Sequence, residues 1–247
     1  MDRATLDELR SARAEKRSVL LMTELPAGTQ RLLSYDAVQA LEGELGDAAR
    51  EAFRRDQALV HEAGESRTFL QPHQPPLRLI CVGAVHIAQP LVRLAGVLGF
   101  DVIVVDPRAA WTKAARFPTG VQIVDEWPDD AMEELGPDHR TAVVALTHDP
   151  KLDDPALAVT LASSAFYVGA LGSRKTHATR LKRLKRAGVS NDALGRIAGP
   201  IGLPIGARSP AEIAVSILAE VVQTLRKGFT PRELPEAIVT LAPSSES

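Results

Sequence analysis

The chain has 247 residues, 45% hydrophobic and 24% charged, the balance of an ordinary soluble globular protein long enough for one domain or two. Its 29 Lys and Arg against 31 Asp and Glu leave a formal charge of −2, so no global attraction to nucleic acid or to an anionic membrane is implied. A single cysteine, Cys81, rules out intrachain disulfides and every cysteine-cluster metal site.

In chain order, residues 2–17 pattern as an amphipathic helix, too charged for a signal peptide. No apolar run approaches membrane-spanning length, and a cytoplasmic location without membrane contact is expected. Ser18 to Leu25 reads as a strand, residues 26–28 as a turn, and Gln30 to Tyr35 as a second strand. Gly43 to Asp47 reads as a loop, with Asp47 capping a helix from about Ala48 to Ala63. Thr68 to Leu70 is a short strand, and Pro72, Pro75 and Pro76 mark a boundary, because proline disfavours helix and central strand alike. Residues 1–74 are therefore expected to form a small α+β domain.

The next stretch, LRLICVGAVHIAQPLVRLAGVLGFDVIVVDPR, organises the rest. Leu77 to Val82 suits a buried strand, and Gly83 breaks it. From Ile87 the residues Leu91, Leu94 and Leu98 recur at helical spacing, and Gly99 closes the helix. Val102 to Val105 then ends in Asp106. Strand, tight turn, helix, strand and acid make the first unit of a dinucleotide-type parallel sheet. Where the fingerprint G-x-G-x-x-G is expected, the chain has Gly83, Val85 and Ala88. Ala88 keeps close helix–strand packing, whereas Val85 removes the glycine that lets backbone approach a pyrophosphate. Asp106 lies 23 residues after Gly83, close to the spacing of a ribose-binding acid.

Val121 to Val124 follows as a short strand, reached through Trp111 to Gly120, and Asp129 to Leu135 as a helical turn or two. Thr141 to Thr147 and Ala165 to Leu171 are continuous apolar strands, as in a sheet covered on both faces. The second leads into a helix ending near Arg186, and Pro200 to Ala207 forms a glycine/proline loop. The final helix starts on a capping box, Ser209, Pro210 and Glu212, shows Ile213, Ile217 and Val221 on one face, and stops at Gly228. The expected organisation is α/β: residues 75–228 as a Rossmann-like parallel-sheet domain, and residues 229–247 as a loose tail.

Ligands of open parallel sheets bind beyond the carboxyl ends of the strands. Candidate ligand contacts fall there: Gly83, Ala84, His86 and Ile87 in the first turn, Asp106 and Arg108 after the second strand, Thr147 and His148 after the fourth, and Gly172, Ser173, Arg174 and Lys175 after the fifth. His86 either contacts ligand or merely caps its helix. Gly172 to Lys175 at a helix start offers N–H groups, a hydroxyl and two cations, which suits a phosphate. The six scattered histidines do not spell out a metal centre. Arg174 to Arg186 holds seven Lys and Arg and no acid, either a solvated face or a site for an anionic partner. Aromatics are only 4% and no recognition motif appears, so nucleic acid is not expected. There is no G-x-S-x-G elbow, Walker loop or HExxH helix, and no catalytic residue is assigned. The site looks suited to holding a phosphorylated, nucleotide-like molecule.

From about Phe69, the segments TFLQPHQPPLRLICVGAVHIA, VVDPR, RFP (Arg116 to Pro118), ALTHDPKLD, YVGALGSRKTH and PIGLPIGARSPAEIAVSILAE resemble the XdhC/CoxI family, accessory proteins of xanthine and carbon monoxide dehydrogenases. The resemblance implies a Rossmann-like domain that binds molybdenum cofactor, as molybdopterin or its dinucleotide form. It also implies that the chain acts with a cysteine desulfurase and passes the cofactor to an apo molybdenum hydroxylase. Two departures stand out. The family's GAGHVA turn is GAVHIA here, and the GSVSGGCVE cysteine of many members has only GELGD, Gly43 to Asp47, as its nearest counterpart. A cysteine-dependent hold on molybdenum is therefore not expected. An NAD(P)-dependent oxidoreductase, favoured by Asp106, and a scaffold binding only protein, favoured by Val85, stay open. A homodimer is the default assembly.

Overall fold

The computed structural model describes residues 2–108, 116–231 and 233–241, and the chain divides into two compact units, Met1–Pro75 and Pro76–Ser247. The first unit runs α1 (Arg3–Ala14), β1 (Val19–Leu25), β2 (Gln30–Ser34), α2 (Tyr35–Gln39), α3 (Gly43–Arg55), β3 (Leu59–Ala63) and β4 (Ser66–His73). Its antiparallel sheet has the order β2-β1-β4-β3, and Leu20, Met22 and Leu70 pack with Ala49, Ala52 and Phe53 of α3.

Two expectations fail in this unit. Gly43 to Asp47 is the opening of α3, not a loop. A Cβ on Gly46 would lie 2.3 Å from the Leu41 carbonyl oxygen, so this glycine serves close packing inside a helix. The helix also stops well before Ala63. Asp56, in the left-handed region at φ 55°, ends it, and residues 59–63 turn through Gly64 to pair antiparallel with β4.

The second unit runs β5 (Arg78–Val82), α4 (Ala88–Val97), β6 (Asp101–Val105), β7 (Gln122–Val124), α5 (Pro128–Leu135), β8 (Thr141–Ala145), α6 (Pro150–Ala162), β9 (Tyr167–Ala170), α7 (Arg174–Arg186), α8 (Asn191–Gly195), β10 (Ile197–Ala198), α9 (Pro210–Lys227) and α10 (Glu236–Val239). The strands pair in parallel in the order β10-β9-β8-β5-β6-β7. This is the Rossmann order, and the direction of winding reverses between β5 and β8. Of the expected path from Trp111 to Gly120, residues 109–115 lie outside the described residues.

Helices α4 and α9 pack on the sheet through Leu91, Val92, Ala95, Ile217 and Val221, whereas α5 and α6 contribute Met132 and Ala156 to a separate apolar cluster with β5, β6 and β8. The capping box of α9 is formed: Ser209 Oγ accepts from Glu212 N–H at 3.2 Å, and Glu212 Oε2 accepts from Ser209 N–H at 2.9 Å. Buried Glu220 of α9 accepts from the Tyr167 hydroxyl at 2.6 Å and from Gly202 N–H at 2.7 Å, pinning the glycine/proline loop to the sheet. The tail needs correcting as well. Residues 236–239 form α10, and its Ile238 is buried with Leu181 and Leu184 of α7.

Candidate functional site

At the switch point the chain leaves β5 through Gly83 and β8 through Thr147. Gly83 holds φ 108°, and a Cβ there would sit 2.4 Å from Thr147 Cγ2. The two turns are thus in direct contact. Ala84 is buried and donates its N–H to Asp106 Oδ2 at 2.8 Å, which ties the first turn to the end of β6.

Asp106 has no exposed surface. Besides Ala84 it accepts Arg108 N–H at 3.0 Å, Arg108 Nε at 2.8 Å and Arg108 Nη2 at 2.7 Å. Burial alone would raise its carboxyl, but the guanidinium and the two backbone donors outweigh burial and hold it below the ordinary aspartate range. Asp106 is therefore spent on internal bonds. It anchors Arg108, whose side chain is 37% exposed, and offers no accessible oxygen to a ribose hydroxyl.

Across the switch point, α6 supplies a residue that the sequence reading missed. Asp153, 1% exposed, accepts Thr147 Oγ1 at 2.7 Å, Thr147 N–H at 3.2 Å and His148 N–H at 3.1 Å. These bonds hold His148, exposed, in the left-handed region at φ 63°. Asp149 caps α6 by accepting Lys151 N–H at 3.0 Å. Buried Arg180 of α7 completes the tie: its Nη2 lies 3.3 Å from Asp153 Oδ2 and donates to the Leu171 carbonyl at 2.9 Å. Burial raises the Asp153 carboxyl and lowers the Arg180 guanidinium, so for both partners desolvation outweighs their mutual attraction. Besides bonded Asp106, Asp149 and Asp153, beyond the end of β8, act on Arg108, beyond the end of β6, and together they hold its guanidinium above the ordinary range.

Ser173 caps α7, accepting Thr176 N–H at 3.1 Å, and Arg174 and Lys175 are exposed in the first turn. Arg174 borders a pocket of about 200 Å³ with His177, Gly199, Pro200 and Glu233. Ile87 and Val85 pack against the apolar core, which leaves exposed His86 as the side chain that the first turn presents outward. The basic run of α7 is not a uniform cationic face: Arg180 turns inward to Asp153, and Arg183 is bonded to Asp154.

The family model of the XdhC Rossmann domain matches residues 79–221, which contain all four strand-end turns. The chain belongs to the XdhC family. Over 169 residues it is 34% identical to a probable xanthine dehydrogenase subunit of Bacillus subtilis, covering 68% of this chain and 49% of that protein. Over 148 residues it is 32% identical to the molybdenum cofactor insertion chaperone PaoD of Escherichia coli, covering 60% of this chain and 40% of that one. A solved structure described as a xanthine dehydrogenase from Bacillus halodurans superposes with a TM-score of 0.63 at 25% identity, over 91% of this chain and 65% of that one. The chain thus spans half or less of the length of these two curated relatives.

In this XdhC-family chain the only thiol is withdrawn. Cys81 sits inside β5 without exposed surface, and burial pushes its thiol up to about 12. Among the described residues no group of three or more His, Cys, Asp and Glu side chains is placed to hold a metal ion, and no helix is long and apolar enough to cross a membrane. Native Cys81 is expected to resist thiol reagents at pH 8, reacting at least 100-fold more slowly than the urea-unfolded chain, where the thiol returns to about 8.5. A stopped-flow disulfide-exchange assay checks this.

Proposed function

We propose that this chain takes up molybdenum cofactor in the crevice between β5 and β8 and delivers it to an apo molybdenum hydroxylase of the xanthine or carbon monoxide dehydrogenase type. The observation that carries the reading is Arg108, fixed on a buried Asp106 at a Rossmann switch point, in a family one of whose relatives is named a cofactor insertion chaperone. The cofactor is cargo here, a phosphorylated pterin carrying molybdenum through two sulfurs.

The residues present fit such a cargo. The start of α4 follows the first turn, and a helix start favours an anion. With Val85 in place of a glycine, side chains take a larger share of the hold: Arg108 from β6, and Arg174 and Lys175 from the first turn of α7. Thr147 and His148 supply polar edges. Because Cys81 is buried, any sulfur added to the cofactor comes from outside the chain, which suits a cysteine desulfurase as a second partner. Work in the cytoplasm, beside the client enzyme, goes with this reading.

Anaerobic calorimetry and thermal shift test it, with isolated molybdenum cofactor compared against NAD(H) and NADP(H). Cofactor binding must raise the melting temperature in proportion to the logarithm of its concentration over Kd. Arg108→Gln is expected to weaken binding by roughly tenfold or more, the loss of a charge-assisted contact. Tight NAD(P) binding with no response to the cofactor overturns the proposal.

A further inference from the structure

Within the second unit, α7, α8, the exit of β10 and the segment leading into α10 surround the pocket of about 200 Å³ that Arg174 borders. Its interior is apolar: Leu181, Leu194 and Ile197 line it, and each is no more than 2% exposed. His177 makes another wall, its imidazole set against the Gly199 backbone, where any Cβ would run into the ring. The last wall comes from the tail. Residues 233–235 line the pocket, and buried Ile238, packed with Leu181 and Leu184, anchors them there. The charged lining residues are Arg174 and Glu233, both exposed and of opposite sign.

Size, walls and charge narrow the ligand. Pockets that enclose a whole drug-sized molecule measure about 300–1,000 Å³, so this one takes a single ring system. The apolar interior suits the face of a flat ring, and the carboxylate of Glu233 opposes a phosphate inside. An ionised carboxylate only accepts, and it takes two parallel N–H donors best, whereas a guanidinium only donates. A ring that carries an amino group beside a ring N–H, with a carbonyl on the next carbon, satisfies both from one edge. That is the 2-amino-4-oxo edge, common to pterin and guanine. Adenine and cytosine have an acceptor nitrogen beside the amino group and lack the paired donors.

We propose that this pocket binds a 2-amino-4-oxo heterocycle, a pterin or a guanine, with Glu233 accepting its two edge N–H groups and Arg174 donating to its carbonyl. The pterin form of the inference rests on the cofactor-delivery reading. Arg174 belongs to the first turn of α7, so a ring in the pocket leaves its phosphate near that helix start. The five donors of Arg174 can then serve the ring carbonyl and the phosphate together, with Lys175 beside them.

Fluorescence titration of free pterin with the full chain tests the proposal, with lumazine as the matched control. Lumazine has the same two rings but a 2-oxo group, which turns an acceptor towards Glu233. Pterin is expected to bind with a Kd of about a millimolar or tighter, and lumazine roughly tenfold or more weaker. Guanosine against inosine, which lacks the 2-amino group, repeats the comparison for the second source by calorimetry. Glu233→Gln is expected to weaken pterin binding roughly tenfold and to narrow the gap to lumazine. Ala178→Phe fills the pocket from α7 and is expected to abolish binding with circular dichroism unchanged. Equal affinity for pterin and lumazine overturns the proposal, as does pterin binding that survives Ala178→Phe. Silence from both pterin and guanosine also overturns it, and intact cofactor that still binds then leaves the delivery reading standing. Pterin binding with no response to intact cofactor supports the pocket and overturns delivery. Guanosine bound over inosine, without pterin, supports the edge recognition and assigns the pocket to a guanine nucleotide.

Discussion

Asp153→Ala is expected to destabilise the Rossmann unit by about 3–5 kcal/mol, because it leaves the buried Arg180 guanidinium without the carboxylate it is paired with, and only the more distant charge of Asp154 to offset it. The same change strips acceptors from Thr147 N–H, Thr147 Oγ1 and His148 N–H. Arg180 has no spare acceptor to fall back on: its Nε and Nη1 are already buried without hydrogen-bond partners among the described residues. Arg180→Met is expected to cost less. Asp153 keeps its three donors from the β8 turn, and a carboxyl already raised by burial can take up a proton and go neutral. Asp153→Ala with Arg180→Met is then expected to be more stable than Asp153→Ala alone. The double variant removes the stranded charge while still lacking the β8-turn acceptor. Urea melts of the three variants measure the whole cycle.

The same pair sets a pH dependence. A folded pKa above the unfolded value of about 3.9 means that the folded chain binds the proton more tightly. The contribution of Asp153 is therefore full below that value and is lost as pH rises through the folded pKa. Asparagine does not titrate, so the stability gap between wild type and Asp153→Asn is expected to narrow from about pH 4 upward. A gap that widens with pH would mean that attraction to Arg180 outweighs burial.

The legible elements and the missed ones differ in where their partners lie. Strands β5, β6, β8 and β9 are buried on both faces and so read as continuous apolar runs, and α9 announces itself through Ser209, Pro210 and Glu212. Helix α6 went unread: Pro155 stands inside it, and Asp153 and Asp154 fall where an apolar stripe would be sought. Those acids belong inside because Arg180 and Arg183 meet them from α7, 27 and 29 residues away. Read alone, α7 is an unbalanced cationic helix and α6 a polar stretch; only together are they a packed pair. The site shows the same limit. Asp106 sits at ribose-acid spacing, but spacing does not reveal that Arg108 and Ala84 already use its oxygens. In the first unit, Gly43 and Gly46 resemble loop glycines until the Leu41 carbonyl is found against Gly46.

Gly83→Ala is expected to cost about 2–5 kcal/mol, the sum of two separable strains. One is conformational, since φ 108° is a value that side chains beyond glycine rarely adopt. The other is steric, the 2.4 Å approach of the new Cβ to Thr147 Cγ2. Thr147→Ser separates them. It deletes the offending methyl but keeps the hydroxyl that bonds to Asp153, and by itself it costs about 1 kcal/mol. In the Thr147→Ser background Gly83→Ala is left with the backbone strain, about 1–3 kcal/mol. The double-mutant cycle is therefore expected to show rescue. Equal costs in both backgrounds would mean that the β5 turn moves away from β8 instead of pressing on it. Cofactor affinity distinguishes the same two responses. If the turn moves, Ala84 shifts with it and pulls on Asp106, Arg108 loses its anchor, and binding falls in both backgrounds. If the turn stays and the clash is local, Thr147→Ser is expected to restore binding together with stability. The contact between Gly83 and Thr147 is thus where close packing and the proposed ligand site become one measurable quantity.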